Sequence, residues 1–184
     1  MITRRKNSNA NLKTLSVEGE TLSPSFNKDV VEYSINVGPE VKNLNITAAT
    51  EVDTSSYEIV GNSNFKAGEN EVKIIVTAED GTKKTYTITV NRQGYTDNHL
   101  ASLTVSSDDT PYEMTPNFDP SYDSEDGVYE VIVPNDVDRV TVEGELAGVG
   151  STVTGLGEYA LPTGTTTVEV KVKSEIGEVR EYVI

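Results

Sequence analysis

A chain of 184 residues with a formal net charge of −15, one histidine and no cysteine rules out several classes of protein. Nucleic acid and anionic membrane surfaces call for a basic face that this chain lacks, and without thiols there are no disulfides, thiolate metal sites or cysteine nucleophiles. No stretch approaches the roughly 20 apolar residues of a membrane span, so membrane insertion is not expected.

Residues 1–10 read as a flexible N-terminal tail. Arg4, Arg5 and Lys6 have no apolar segment behind them, so this is no signal peptide. Leu12, Leu15 and Val17 then open a first β-rich repeat, residues 11–92. Leu22-Ser-Pro24-Ser-Phe26 follows. Pro24 cannot donate a ladder hydrogen bond, which makes this an edge or a crossing between sheets. Tyr33-Ser-Ile35-Asn-Val37 alternates apolar and polar residues, Gly38-Pro39 turns the chain, and Val41–Ala49 continues the pattern. Tyr57–Val60 is weaker. Gly68-Glu69-Asn70 is read as a turn into Val72, Ile74 and Val76. Glu79-Asp80-Gly81-Thr82 is the strongest hairpin signal, because Asp-Gly supplies the positive φ of a tight turn, and Tyr86-Thr-Ile88-Thr-Val90 is its partner strand. No window shows a helical 3.6-residue period, and the abundance of Val, Ile and Thr favours strands.

Residues 93–98 form a short polar linker, and residues 99–184 repeat the pattern. Leu100, Leu103 and Val105 match Leu12, Leu15 and Val17 at an offset of 88; Pro116 and Phe118 match Pro24 and Phe26 at 92. From Tyr129 onward the offset is 96: Gly164 matches Gly68, Val168, Val170 and Val172 match Val72, Ile74 and Val76, and Tyr182 matches Tyr86. Two four-residue insertions, near 107–113 and 121–127, separate the offsets. Both are acidic, and both are expected to be loops. The last strand of the second copy stops two residues short of its counterpart, which suggests a fragment of a larger protein. The acidity is uneven: residues 11–92 hold 8 Lys/Arg against 12 Asp/Glu, residues 99–184 hold 4 against 17.

The opening Leu12-Lys-Thr-Leu15-Ser-Val17, the Leu22-Ser-Pro24-Ser-Phe26 loop, the Tyr33 strand, Gly68-Glu69-Asn70 and Asp80-Gly81 before Tyr86-Thr-Ile88-Thr-Val90 resemble the cadherin-like β-sandwich domains repeated in bacterial surface proteins, clostridial and other Firmicutes-type ones above all. The resemblance covers residues 10–92 closely and 99–184 more loosely, where Ser174-Glu-Ile-Gly177 degrades the Asp-Gly turn. It implies an all-β fold of two tandem immunoglobulin-like sandwiches of about seven strands each, an extracellular place at the cell surface or wall, and neighbouring modules in a longer chain. It also implies a non-catalytic role in spacing, presenting or adhering, with carbohydrate binding beside a glycan-active or wall-binding module as the alternative. The implied partners are wall or extracellular polysaccharide, or other surface proteins.

The chemistry-bearing residues are sparse. His99 has no Ser or Asp partner at a spacing that implies one, and a surface histidine is the simpler reading. The glycines from Gly144 to Gly157 lack a phosphate-binding spacing and mark bent or bulged strands. Calcium needs six to eight oxygens; the best supply is Asp108 and Asp109 in one insertion with Asp119, Asp123 and Asp126 around the other, although solvated acidic loops are the simpler reading. Carbohydrate binding needs an exposed aromatic face flanked by amides or carboxylates. Tyr33, Tyr86, Tyr129 and Tyr182 recur at matched places and are expected in the core with their hydroxyls on backbone. Tyr112 and Tyr122, each in an insertion, and Tyr95 in the linker are the candidates for sugar contact. Catalysis is not expected, since no nucleophile, base and orienting group are brought together by spacing.

Overall fold

The computed structural model describes residues 1–121 and 127–184, and among these residues every regular element is a β-strand. The chain divides into two compact units, Met1–Gly94 and Tyr95–Ile184.

The first unit contains β1 (Leu12–Val17), β2 (Glu32–Val37), β3 (Ile46–Thr50), β4 (Ser56–Val60), β5 (Gly68–Thr77) and β6 (Lys83–Arg92). β1 pairs with β3, and a second sheet runs in the order β2-β6-β5-β4. The period-two pattern decides which side chains point inward. Val72, Ile74 and Val76 of β5 and Tyr86, Ile88 and Val90 of β6 are fully buried, and Leu12, Leu15 and Val17 of β1 join them in one core. Burying each such aliphatic side chain stabilises by roughly 1.5–3 kcal/mol.

The second unit is built from shorter pieces: β7 (Leu100–Ser107), β8 (Thr110–Tyr112), β9 (Met114–Thr115), β10 (Gly127–Val128), β11 (Glu130–Val131), β12 (Arg139–Leu146), β13 (Thr152–Thr154), β14 (Gly157–Ala160), β15 (Glu169–Lys173) and β16 (Val179–Val183). One sheet runs β14-β12-β7-β8 and another β10-β16-β15-β13, with a small β11-β9 ladder. Leu100, Val142, Val170 and Val172 are at most 1% exposed, and Tyr182, Leu103 and Val105 close the core around them.

Three expectations need correction, and two strand pairs depart from the antiparallel majority. β2 lies parallel to β6 over six residues, and β10 lies parallel to β16. β2 and β6 are not hairpin neighbours, since β3 between them belongs to the other sheet, so no tight turn sets their relative direction. Gly68-Glu69-Asn70 is strand rather than turn, opposite Arg92, Asn91 and Val90. Residues 1–10 are not a free tail at their inner end. Asp80 donates its N–H to the Asn7 carbonyl at 3.1 Å, Ser55 Oγ donates to the Asn9 carbonyl at 2.7 Å, and Ala10 is buried in the core. Finally, the insertion at 107–113 is not a loop.

That insertion is a β-hairpin. β7 and β8 pair Val105 with Tyr112, Ser106 with Pro111 and Ser107 with Thr110, which leaves Asp108 and Asp109 as a two-residue turn. Both aspartates have positive φ, 46° and 62°, as the twist-matched two-residue hairpin turn requires. In the first unit the counterpart is shorter: Val17 bridges directly to Glu20 across Glu18 and Gly19. Four inserted residues therefore lengthen each arm by two, and each side chain keeps its face.

The degraded turn at Ser174–Gly177 keeps the geometry of its counterpart. Gly81 donates to the Ala78 carbonyl at 2.9 Å and Gly177 to the Ser174 carbonyl at 3.0 Å; their φ angles are 92° and 96°. The glycine at positive φ is what both turns hold in common, and the aspartate is dispensable.

Candidate functional site

The lengthened hairpin builds an open concavity in the second unit. β8 is the edge strand of its sheet, and the chain turns from it through Met114 to Phe118. Between these segments and β7 lies an open groove of about 310 Å³. Leu103 and Met114, both buried, form its floor. Pro111, Tyr112, Glu113 and Asn117 line it together with Ser102 and Thr104. Phe118 closes the inner wall, its ring held 6.1 Å from that of Tyr129 and 6.2 Å from that of Tyr182. Tyr112 is half-buried, while Pro111, Glu113 and Asn117 are exposed. Ser102 is partly used, since its hydroxyl accepts from the Glu145 N–H at 3.1 Å.

Of the three tyrosines singled out for sugar contact, the structure brings Tyr112 to this groove. Tyr95 is not among its lining residues; its N–H donates to Glu175 Oε2 at 3.0 Å. Tyr122 lies outside the described residues. The repeated tyrosines are core residues as expected: Tyr33, Tyr86 and Tyr182 are at most 5% exposed. The Tyr33 hydroxyl donates toward the Asn27 and Val30 carbonyls, at 2.7 and 2.9 Å. Tyr129 is half-buried, and burial raises its phenol pKa above the ordinary value.

Of the five calcium candidates, Asp108, Asp109 and Asp119 are among the described residues. Asp108 and Asp109 sit at the hairpin tip. Asp119 spends Oδ1 on its own turn, accepting from the Ser121 N–H at 2.8 Å and the Ser121 hydroxyl at 2.6 Å. Those bonds hold its carboxyl below the usual aspartate pKa. Asp123 and Asp126 lie outside the described residues. Among the described residues no three His, Asp or Glu side chains gather as a metal site.

His99 does have an acidic partner, which spacing alone had not implied. Its Nδ1 lies 2.8 Å from Asp97 Oδ1, and the same oxygen accepts the His99 backbone N–H at 2.9 Å. These contacts lower the Asp97 pKa. The adjoining recess has a volume of about 10 Å³, room for a single water. The described side chains that line it with His99 include Asp119, Tyr129 and Arg180 but no serine, threonine or lysine.

Sequence reasoning missed Glu113, Asn117, Ser102 and Thr104 as lining residues. The four-residue jump in repeat offset was the available signal, since an insertion that keeps strand register has to project something.

Comparison with known proteins gives three findings. A protein-family model described as Cadherin-like beta sandwich domain matches residues 12–93. A protein of Evansella cellulosilytica named "Putative membrane protein" is 31% identical over 149 residues, covering 72% of this chain. The chain spans 21% of that protein's length. Among solved structures, the SGBP-B protein of the Bacteroides ovatus mixed-linkage glucan utilization locus, in complex with a mixed-linkage heptasaccharide, aligns over 93% of this chain and 70% of its own, at 12% identity and a TM-score of 0.25.

Proposed function

Residues 12–93 belong to the cadherin-like β-sandwich domain family, and from this premise we propose that the chain is a non-catalytic module of a longer bacterial surface protein, which spaces or presents the domains beside it. The observation that carries this reading is the tie between the first and last strands of each unit. Leu12, at the start of β1, donates its N–H to the Tyr86 hydroxyl on β6 at 3.1 Å, and Leu100, at the start of β7, does the same to Tyr182 on β16 at 3.0 Å. A unit whose first strand is tied to its last holds its fold while neighbouring domains pull on it. The aliphatic cores leave each unit's interior filled rather than hollow. The Evansella relative, whose name places it at a membrane and whose length far exceeds this chain, supports a position within a longer envelope protein.

The test is display on a cell surface. An epitope tag is placed ahead of the full chain, then ahead of either unit alone, on a common wall anchor. Access of a bulky antibody to the tag should fall when one unit is removed. Equal access with and without a unit would sink the spacing role.

A further inference from the structure

We propose that the β7–β8 groove of the second unit is a binding site for a neutral polysaccharide, holding one or two sugar rings against Tyr112. Four observations converge on it. The groove joins an aromatic ring and an apolar floor to polar groups that have nothing else to bond. Among the described residues the Tyr112 hydroxyl, the Glu113 carboxylate and the Asn117 amide take part in no hydrogen bond or ion pair. A sugar ring offers the complementary surface, since its C–H face stacks on an aromatic ring while its hydroxyls both donate and accept.

Size agrees. A volume of about 310 Å³ sits at the lower end of small-molecule pockets, roughly 300–1,000 Å³. The groove is open to solvent, so a ligand can reach it.

Charge narrows the class. With 17 acidic residues against 4 basic ones in residues 99–184, and Glu113 at the groove itself, an anionic glycan is repelled. A neutral chain meets no such penalty.

The edge chemistry argues against a peptide adding to β8. β8 is an edge strand, and an extended peptide would add to it through backbone hydrogen bonds. In a hairpin closed by a two-residue turn, the flanking pair Ser107 and Thr110 is the hydrogen-bonded one, so the next pair, Ser106 and Pro111, is not. The backbone nitrogen of residue 111 therefore faces outward, and as proline it has no N–H to offer. The one outward donor that strand addition would need on β8 is missing.

The first unit lacks the site. Tyr112 falls on Glu20, and the hairpin arm that carries Pro111 is absent there.

The experiment is native affinity electrophoresis of the full chain through gels containing a β-glucan, a xylan, a mannan or, as the anionic arm, polygalacturonate. Retardation by at least one neutral polymer and none by polygalacturonate is expected. Tyr112→Ala and Asn117→Ala should each weaken that retention at least tenfold, Tyr112→Phe should keep most of it, and Tyr95→Ala should change nothing; circular dichroism confirms that each variant is folded. Should Tyr112→Ala fail to fold, the exposed Asn117→Ala decides alone. No retardation by any neutral polymer, or retention unaltered by the groove variants, overturns the proposal. Spacing is read separately in the display assay, so the two readings fail independently.

Discussion

Leu12 and Tyr86 are 74 residues apart, yet the backbone N–H of one donates to the hydroxyl of the other at 3.1 Å. The same hydroxyl donates to the Lys28 carbonyl at 2.8 Å. Both residues are fully buried, so no water stands ready to replace either bond. Removing the oxygen with Tyr86→Phe leaves an orphan donor, at a cost of about 1–3 kcal/mol. The urea midpoint of the first unit should fall accordingly, and the Leu12 amide should exchange with deuterium faster than its neighbours on β1. An unchanged exchange rate at Leu12 would show that the tie carries no weight. Tyr182→Phe should act likewise on Leu100.

Acid should loosen the first unit at one identifiable carboxylate. Glu51 accepts from Lys28 Nζ at 2.7 Å and from the side-chain amides of Asn9 and Asn11 at 2.9 and 3.1 Å. The Lys28 hydrogen bond, then those from the asparagines, lower its pKa from 4.5 to about 2. A folded-state pKa below the unfolded one gives stability that is complete above about 4.5 and is lost as the pH falls toward about 2. Carbon-13 titration of the Glu51 carboxyl should place its midpoint near 2. Glu51→Gln should flatten the pH dependence of unfolding across this window. A midpoint at the ordinary glutamate value would refute the assignment.

Two glycines of the second unit separate backbone strain from collision. Gly155 has φ 87°, and a Cβ there would lie 2.0 Å from the Glu169 carbonyl oxygen of β15. Gly177 has φ 96° with nothing nearer than the flexible end of Lys173, at 3.6 Å. Gly177→Ala should cost about 1–2 kcal/mol of strain. Gly155→Ala adds the displacement of a strand and should cost roughly 3 kcal/mol or more. Urea unfolding of the two variants side by side decides it, and equal midpoints would contradict the geometry.

The hairpin should tolerate shortening by four residues and resist shortening by two. Replacing residues 106–111 with Glu-Gly, the residues found at 18–19, closes the turn on Val105 and Tyr112, a hydrogen-bonded pair like Ser107 and Thr110. Deleting only Ser107 and Thr110 closes it on Ser106 and Pro111, a pair of the wrong phase. The first variant should melt within a few degrees of the parent and the second well below it. The reverse order would disprove the register argument.

These details were unequally visible in the sequence. The alternation of Val72, Ile74 and Val76 announces a strand because each inward position is aliphatic, and the matched tyrosines announce a core because they recur at fixed offsets. The β8 arm had no such mark. Thr110, Pro111 and Tyr112 show no apolar alternation, proline argues against a strand, and Asp108-Asp109 turns without the glycine that usually advertises a tight turn. The groove was less legible still, since its walls come from residues 101–104 and 111–118, brought together by pairing rather than by proximity along the chain. Tyr112 could be suspected from its insertion, but its companions Glu113 and Asn117 could not.

The parallel pairing of β2 with β6 also sets an order of events when the chain is made. β2 has one neighbour in its sheet, and that neighbour is the last strand of the unit. Glu32 waits for Thr87, and Val37 for Arg92. As the polypeptide emerges from a ribosome or a translocation channel, β1 can find β3 early and Ser34 of β2 can bridge the nearby Ser23, but the β6-facing edge of β2 stays open until nearly the whole unit is out. Closure is therefore a terminal event, and the nascent chain passes through the narrow path unfolded, with its most adhesive edge exposed for the longest time.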